Sequence, residues 1–163
     1  MNYKMIASII GKIMVIMSAF MLLPLSISLI YYEDEGIRNV LAFLIPMVFL
    51  FIIGFILTKL FNKNKIGKMG AKEGIIIVGI TWVFMSLFGA IPFMISKEIP
   101  NFFDAFFEMA SGFTTTGASI VKDVEALSKS IIFWRSFSHW IGGMGILVFI
   151  LALIPESKEG SSM

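Results

Sequence analysis

The chain has no cysteine, a single histidine and little charge, and each scarcity removes a class of function. Without Cys there are no disulfides, thiolate metal sites or cysteine nucleophiles. With His139 alone, a multi-histidine metal centre cannot form within one chain. A net charge of +2 gives nucleic-acid binding no electrostatic basis. Charged residues make up 15% of the 163, against about a quarter in a soluble domain. What replaces them is apolar: 58% of the chain is hydrophobic, the mean hydropathy is +0.92, and 17 Phe and 12 Met swell that fraction. A water-soluble core of this size cannot hide so much apolar surface, so the chain reads as an all-α integral membrane protein.

Charge-free stretches divide it. Ile13 to Tyr32, Val40 to Thr58 and Gly74 to Ser96 carry no charge, and neither does Trp140 to Pro155. A helix rises about 1.5 Å per residue, so roughly twenty residues cross about 30 Å of hydrocarbon. Four transmembrane helices are predicted, over about 6–31, 39–60, 74–96 and 131–154. The first stretch is too long for a signal core and lacks a small-x-small cleavage site. Pro24 and Pro46 fall inside spans, where neighbouring helices or side chains can satisfy the freed carbonyl.

Loop charge sets the expected topology. Lys59, Lys63, Lys65, Lys68 and Lys72 crowd one short linker and are opposed only by Glu73. Short Lys-rich loops stay cytoplasmic, which puts both termini on the same, cytoplasmic side. That side then sums to +5 and the other to −3. The expected units are a two-helix hairpin over 1–60, a cytoplasmic linker over 61–73, a second unit over 74–155 and a cytoplasmic tail over 156–163. Glu33-Asp34-Glu35-Gly36 is the acidic turn of the hairpin.

Residues 97–130 do not fit an ordinary loop. Asn101-Phe-Phe-Asp-Ala-Phe-Phe-Glu-Met-Ala-Ser-Gly112 has apolar positions at helical spacing. Asn101 suits an N-cap, Asp104 the positive end of the dipole, and Gly112 a terminator. About a dozen residues cannot span a bilayer. The stretch reads either as a re-entrant helix or as an amphipathic helix on the outer surface. Phe113-Thr-Thr-Thr-Gly-Ala-Ser119 follows, uncharged and dense in small oxygen-bearing residues, and favours the re-entrant reading. Non-helical backbone at membrane depth must be shielded by protein or line a water-filled cavity. Carbonyls freed from a helix can replace the hydration shell of a potassium ion, and glycine supplies the backbone angles that turn them. A Ser/Thr-rich surface turn is the plain alternative for these residues alone.

Here the sequence resembles the Trk/Ktr/HKT superfamily of potassium transporters, most closely the N-terminal third of the Trk-type membrane subunit. The resemblance rests on Phe102-Phe-Asp-Ala-Phe-Phe-Glu-Met-Ala-Ser-Gly-Phe-Thr-Thr-Thr-Gly-Ala118, continues in Trp134-Arg-Ser-Phe-Ser-His-Trp-Ile-Gly-Gly-Met-Gly-Ile146, and ends at Ile154-Pro155. It implies four fused membrane–pore–membrane repeats preceded by an extra hairpin, of which 74–155 is the first repeat and the first filter quadrant. Thr114, Thr115, Thr116 and Gly117 would be filter residues, with K+ at the carbonyls of Thr115, Thr116 and Gly117 and Thr114 at the inner end. It further implies location in the plasma (inner) membrane, a homodimer when full length, and a cytoplasmic nucleotide-binding regulatory subunit. Besides membrane lipid, the remaining pore repeats would be its partners, and no organic cofactor is implied. One quadrant cannot close a four-sided pore, so the tail is expected to be a truncation point.

Arg135 is expected to pair with Asp104 or Glu108, clamping the short helix to the last span; field shaping for cation entry is the functional alternative. His139, four residues on, is expected to be packed or hydrogen-bonded rather than a proton switch. Gly142, Gly143 and Gly145 are expected to permit close helix packing. Trp82, Trp134 and Trp140 are candidates for interfacial belts. A membrane-embedded hydrolase is disfavoured, because Ser138 and His139 are adjacent and point about 100° apart on a helix. A non-conducting docking or regulatory subunit of a larger transporter is the second functional reading.

Overall fold

The structure, a computed structural model, describes residues 3–61 and 71–153. Lys63, Lys65 and Lys68 of the predicted linker, and the predicted tail with Lys158, lie outside the described residues. The regular structure of the described residues is helical: α1 (Tyr3–Phe20), α2 (Leu22–Ile30), α3 (Tyr32–Phe61), α4 (Ala71–Ser96), α5 (Phe102–Phe113) and α6 (Lys129–Leu153).

The first predicted span consists of two helices, α1 and α2, that meet at Met21. Proline has no N–H, so Pro24 cannot bond the carbonyl of Phe20, and the helix breaks at Met21. The ladder resumes on either side, with Met21 N donating to Met17 O (3.1 Å) and Leu25 N to Met21 O (3.2 Å). The hairpin corner is Gly36, whose φ of 73° lies where side chains are rarely tolerated. Beyond it α3 runs through Pro46 to Phe61. Tyr3–Ile30, Tyr32–Phe61 and Gly74–Ser96 are each long and apolar enough to cross a membrane. The fourth predicted span corresponds to α6, whose 25 residues reach about 37 Å; its side chains beyond Gly145 are outside the described set.

α1 lies along α3, α3 along α4, and α5 is held between α4 and α6. All six helices or their connections feed one core: Met14, Met17 and Met21, then Phe43 and Leu50, Phe93, Met109 and Phe113, and Trp134. Trp134 is at the centre of it. It is wholly buried, and its rings meet Phe43 and Phe113 edge-on at 6.3 and 6.4 Å. The sequence placed Trp134 among interfacial candidates; the indole N–H instead donates to Gly89 O at 3.0 Å, so it needs no water. Trp140, more than half exposed, keeps the outward position.

Candidate functional site

α5 begins as its sequence predicts. The side-chain oxygen of Asn101 accepts from Phe103 N (2.8 Å) and Asp104 N (3.4 Å), satisfying two of the orphan donors of a helix start. One face carries Ala105, Met109 and Phe113 into the core, while Phe103 and Phe107 on the other stay exposed. At 12 residues the helix is about 18 Å long, well short of a bilayer.

Its end differs from the sequence expectation, and the difference is informative. Gly112 does not terminate the helix. The left-handed residue is Thr115, with φ 57°. Thr116 N donates to Ser111 O and Thr115 N to Gly112 O, both at 3.0 Å, which is the paired closure of a Schellman end. A β-branched residue is poorly suited to that conformation. Gly112 is glycine for a different reason: a Cβ there would collide with the Ser138 hydroxyl.

After this cap the strand of chain has no regular secondary structure and is exposed through Ile120. Gly117 again has positive φ, 76°, and a Cβ on it would meet nothing within 4 Å. It is therefore glycine for its backbone angle, not for space. Thr114 Oγ1 donates to Ala110 O (2.7 Å), Thr115 Oγ1 donates to Thr114 O (2.7 Å), and Thr114 and Thr116 hydroxyls share a hydrogen bond of 2.8 Å. Among the described residues, no hydrogen bond reaches the carbonyls of Thr115, Thr116 or Gly117. Three consecutive unpaired carbonyls on an uncharged strand are hard oxygen ligands without a protein partner.

Behind the strand is a buried carboxylate. Glu108 is 1% exposed and pairs with the Arg135 guanidinium through Nε. The Ser119 hydroxyl lies 2.9 and 3.1 Å from its two oxygens, and Ile120 N donates to it at 3.0 Å. α6 closes on α5 through glycine. A Cβ on Gly142 would overlap the Phe113 backbone, whereas Gly143 and Gly145 have only ordinary contacts, at 3.9 Å to a Thr115 methyl and 3.5 Å to the Trp82 ring.

A family profile described as "TrkH: Cation transport protein" matches residues 40–163. The chain belongs to the TrkH family. It is 38% identical over 93% of its length to an uncharacterized cation transporter of Methanocaldococcus jannaschii. It is 36% identical over 95% of its length to the Trk system potassium uptake protein TrkH of Salmonella typhimurium. In each case it spans 31% of the relative. The crystal structure of the potassium transporter TrkH from Vibrio parahaemolyticus superposes on the whole chain with a TM-score of 0.83 at 32% identity, and the chain covers 34% of that protein. TrkH membership and three apolar helices of spanning length make this a membrane protein.

Within this TrkH-family chain, the predicted residues divide into two sets. Thr114, Thr115, Thr116 and Gly117 form the exposed strand, and Glu108, Arg135, Gly112 and Gly142 stand directly behind it. Asp104 is not among them: it is exposed on the first turn of α5 and forms no ion pair among the described residues. His139 is partly buried, with Nδ1 2.9 Å from Arg135 O one turn back. Ser138 donates to the same carbonyl at 2.6 Å, so the pair are not arranged as a nucleophile and base.

Two groups escaped the sequence reading. One is Ser119 with Ile120, just described. The other is a cluster at the start of α6, which has no acidic residue in its first turn. Glu98 accepts from Ser128 N (3.1 Å) and Glu35 from Ser130 N (3.0 Å), and Asn39 donates to Ser128 Oγ at 2.7 Å. The missing acidic residue in that first turn was the available signal, since some other carboxylate is favoured at a helix N-terminus. These residues border an open cavity of about 750 Å³ beside the hairpin corner.

Proposed function

We propose that this chain forms one side of a potassium-conducting pore: α5 is a re-entrant pore helix, and the strand it leads into is one quarter of a selectivity filter. The observation that carries the reading is the run of unpaired carbonyls at Thr115, Thr116 and Gly117, whose first and last residues have positive φ. Backbone oxygens of this kind replace the hydration shell of an alkali cation without any covalent step. The transported ion is K+, in keeping with the names of the relatives. Thr114 lies at the inner end of the filter, and Asp104 contributes acidic field at its outer side.

In this reading residues 1–60 are an extra hairpin, 61–73 a cytoplasmic linker and 74–155 the first membrane–pore–membrane repeat, with the termini in the cytoplasm. The site lies in the inner membrane, surrounded by lipid, and is completed by further pore repeats. A full-length homodimer and a cytoplasmic nucleotide-binding regulatory subunit complete the assembly. A docking or regulatory fragment of a larger transporter is not favoured by any particular contact.

Potassium uptake in cells lacking their own uptake systems tests the proposal. The reading frame containing this chain restores uptake, and Gly117→Asp abolishes it by adding a side chain and a charge where φ is 76°. Uptake unaffected by Gly117→Asp, or by deletion of 114–117, would sink the filter assignment.

A further inference from the structure

The filter strand is attached to α5 at both of its ends. At its start, Thr115 N and Thr116 N close on the last carbonyls of the helix. At its finish, eleven and twelve residues beyond Glu108, Ser119 and Ile120 close on the carboxylate of that helix. Residues 114–118 therefore hang between a backbone anchor and a side-chain anchor on one rigid element. The second anchor extends one step further, since Val121 N donates to the same Ser119 hydroxyl at 3.1 Å.

A carboxylate with 1% exposure is costly unless every lone pair is used. Here three donors use them: a guanidinium, a hydroxyl and a backbone N–H. If the ion pair served only to join α5 to α6, the Arg135 contact would suffice. Yet two of the three donors come from the strand and not from α6. The helices are also already brought together by Gly112 against Ser138 and Gly142 against Phe113.

From this we infer, on the filter reading above, that Glu108 and Ser119 are positioning residues for ion selectivity. Their hydrogen bond fixes the outer end of the strand, and with it the distance at which the Gly117 carbonyl meets an ion. Arg135 pairs with Glu108 and holds it aimed at the strand. The pair does not touch the ion. Its effect is to hold carbonyl spacing against the pull of a smaller cation, so its loss changes discrimination between Na+ and K+ rather than assembly.

The test measures K+ and Na+ uptake per molecule inserted in the membrane, in the complete transporter, for Ser119→Ala, Ser119→Thr and Glu108→Gln, with Gly117→Asp alongside. Losing a hydrogen bond to a charged group corresponds to about tenfold in an equilibrium. We expect Ser119→Ala to lower the K+/Na+ ratio by about that factor, Glu108→Gln to lower it as well, and Ser119→Thr, which keeps the hydroxyl, to restore it. An unchanged ratio in both Ser119→Ala and Glu108→Gln overturns the inference, including the case in which only membrane abundance falls. If Gly117→Asp still abolishes uptake in that experiment, the filter reading survives and only the anchor is wrong. If Gly117→Asp changes nothing, both fall together.

Discussion

Two helix pairs in this molecule are brought into contact by glycine, and among the described residues only one of them is also joined by an ion pair. α1 meets α3 at Gly11 and Gly54, where a Cβ on Gly54 would lie 2.6 Å from Gly11 O and one on Gly11 would lie 2.9 Å from Gly54 O. Among the described residues that pair has no ion pair. α5 meets α6 at Gly112 and Gly142 with comparable intimacy, and adds Glu108 and Arg135. In lipid, helix association comes from close packing and modest hydrogen bonds. The hairpin shows that this fold can pair helices without a buried charge. A buried Glu–Arg pair in the second interface thus calls for another explanation, and the strand anchored to Glu108 supplies it.

The sharpest way to break the comparison is to overfill the glycine contacts. Gly142→Val drives a branched side chain into the backbone of Phe113, where no rotamer can give way. Overpacking in a close-packed core costs 1–3 kcal/mol or more, and this site belongs at the upper end, about 3 kcal/mol. Thermal unfolding in detergent should show the loss. Gly54→Val should cost somewhat less, about 2 kcal/mol, because one neighbour of its Cβ is the Val15 side chain, which can move. If Gly54→Val proves the more damaging, the two interfaces do not rely on glycine alike.

How much of this was visible in the sequence follows the range of the interactions. The spans were legible because charge-free runs are local, and the Asn101 cap because its partners are two and three residues away. The break at Met21 is legible from Pro24, which sits inside the first span three residues further on and lacks an N–H. Arg135 was matched to either of two carboxylates four residues apart, because helical spacing puts both on one side of α5. Arg135 pairs with Glu108, the buried one of the two, and burial is not a property of spacing. Residue type alone makes Gly112 the expected terminator. The structure gives the left-handed position to Thr115, a residue sequence rules would have placed there last. Ser119 was out of reach altogether, since its partner sits eleven positions back through a chain reversal.

The smallest expected effect concerns the place where the two halves of the comparison touch. Glu35, beside the Gly36 corner of the hairpin, accepts from Ser130 N and from Asn39 Nδ2 at 3.0 and 3.2 Å. Hairpin and second unit are thus joined by a carboxylate that caps the start of α6 from outside its own sequence. Unlike Glu108 it is only partly buried and lies beside an open cavity, so water can take over part of its role. Glu98 continues to hold Ser128 N in its absence. Glu35→Ala should therefore cost about 1 kcal/mol of stability, smaller than either glycine variant, and should leave the K+/Na+ ratio of the complete transporter unchanged. Hydrogen exchange at the first turn of α6 is the direct readout, with faster exchange at Ser130 and little change at Ile120. An equal change at both amides would mean that the hairpin anchor and the filter anchor are one mechanical unit, and the distinction between a helix-joining carboxylate and a strand-positioning one would not stand.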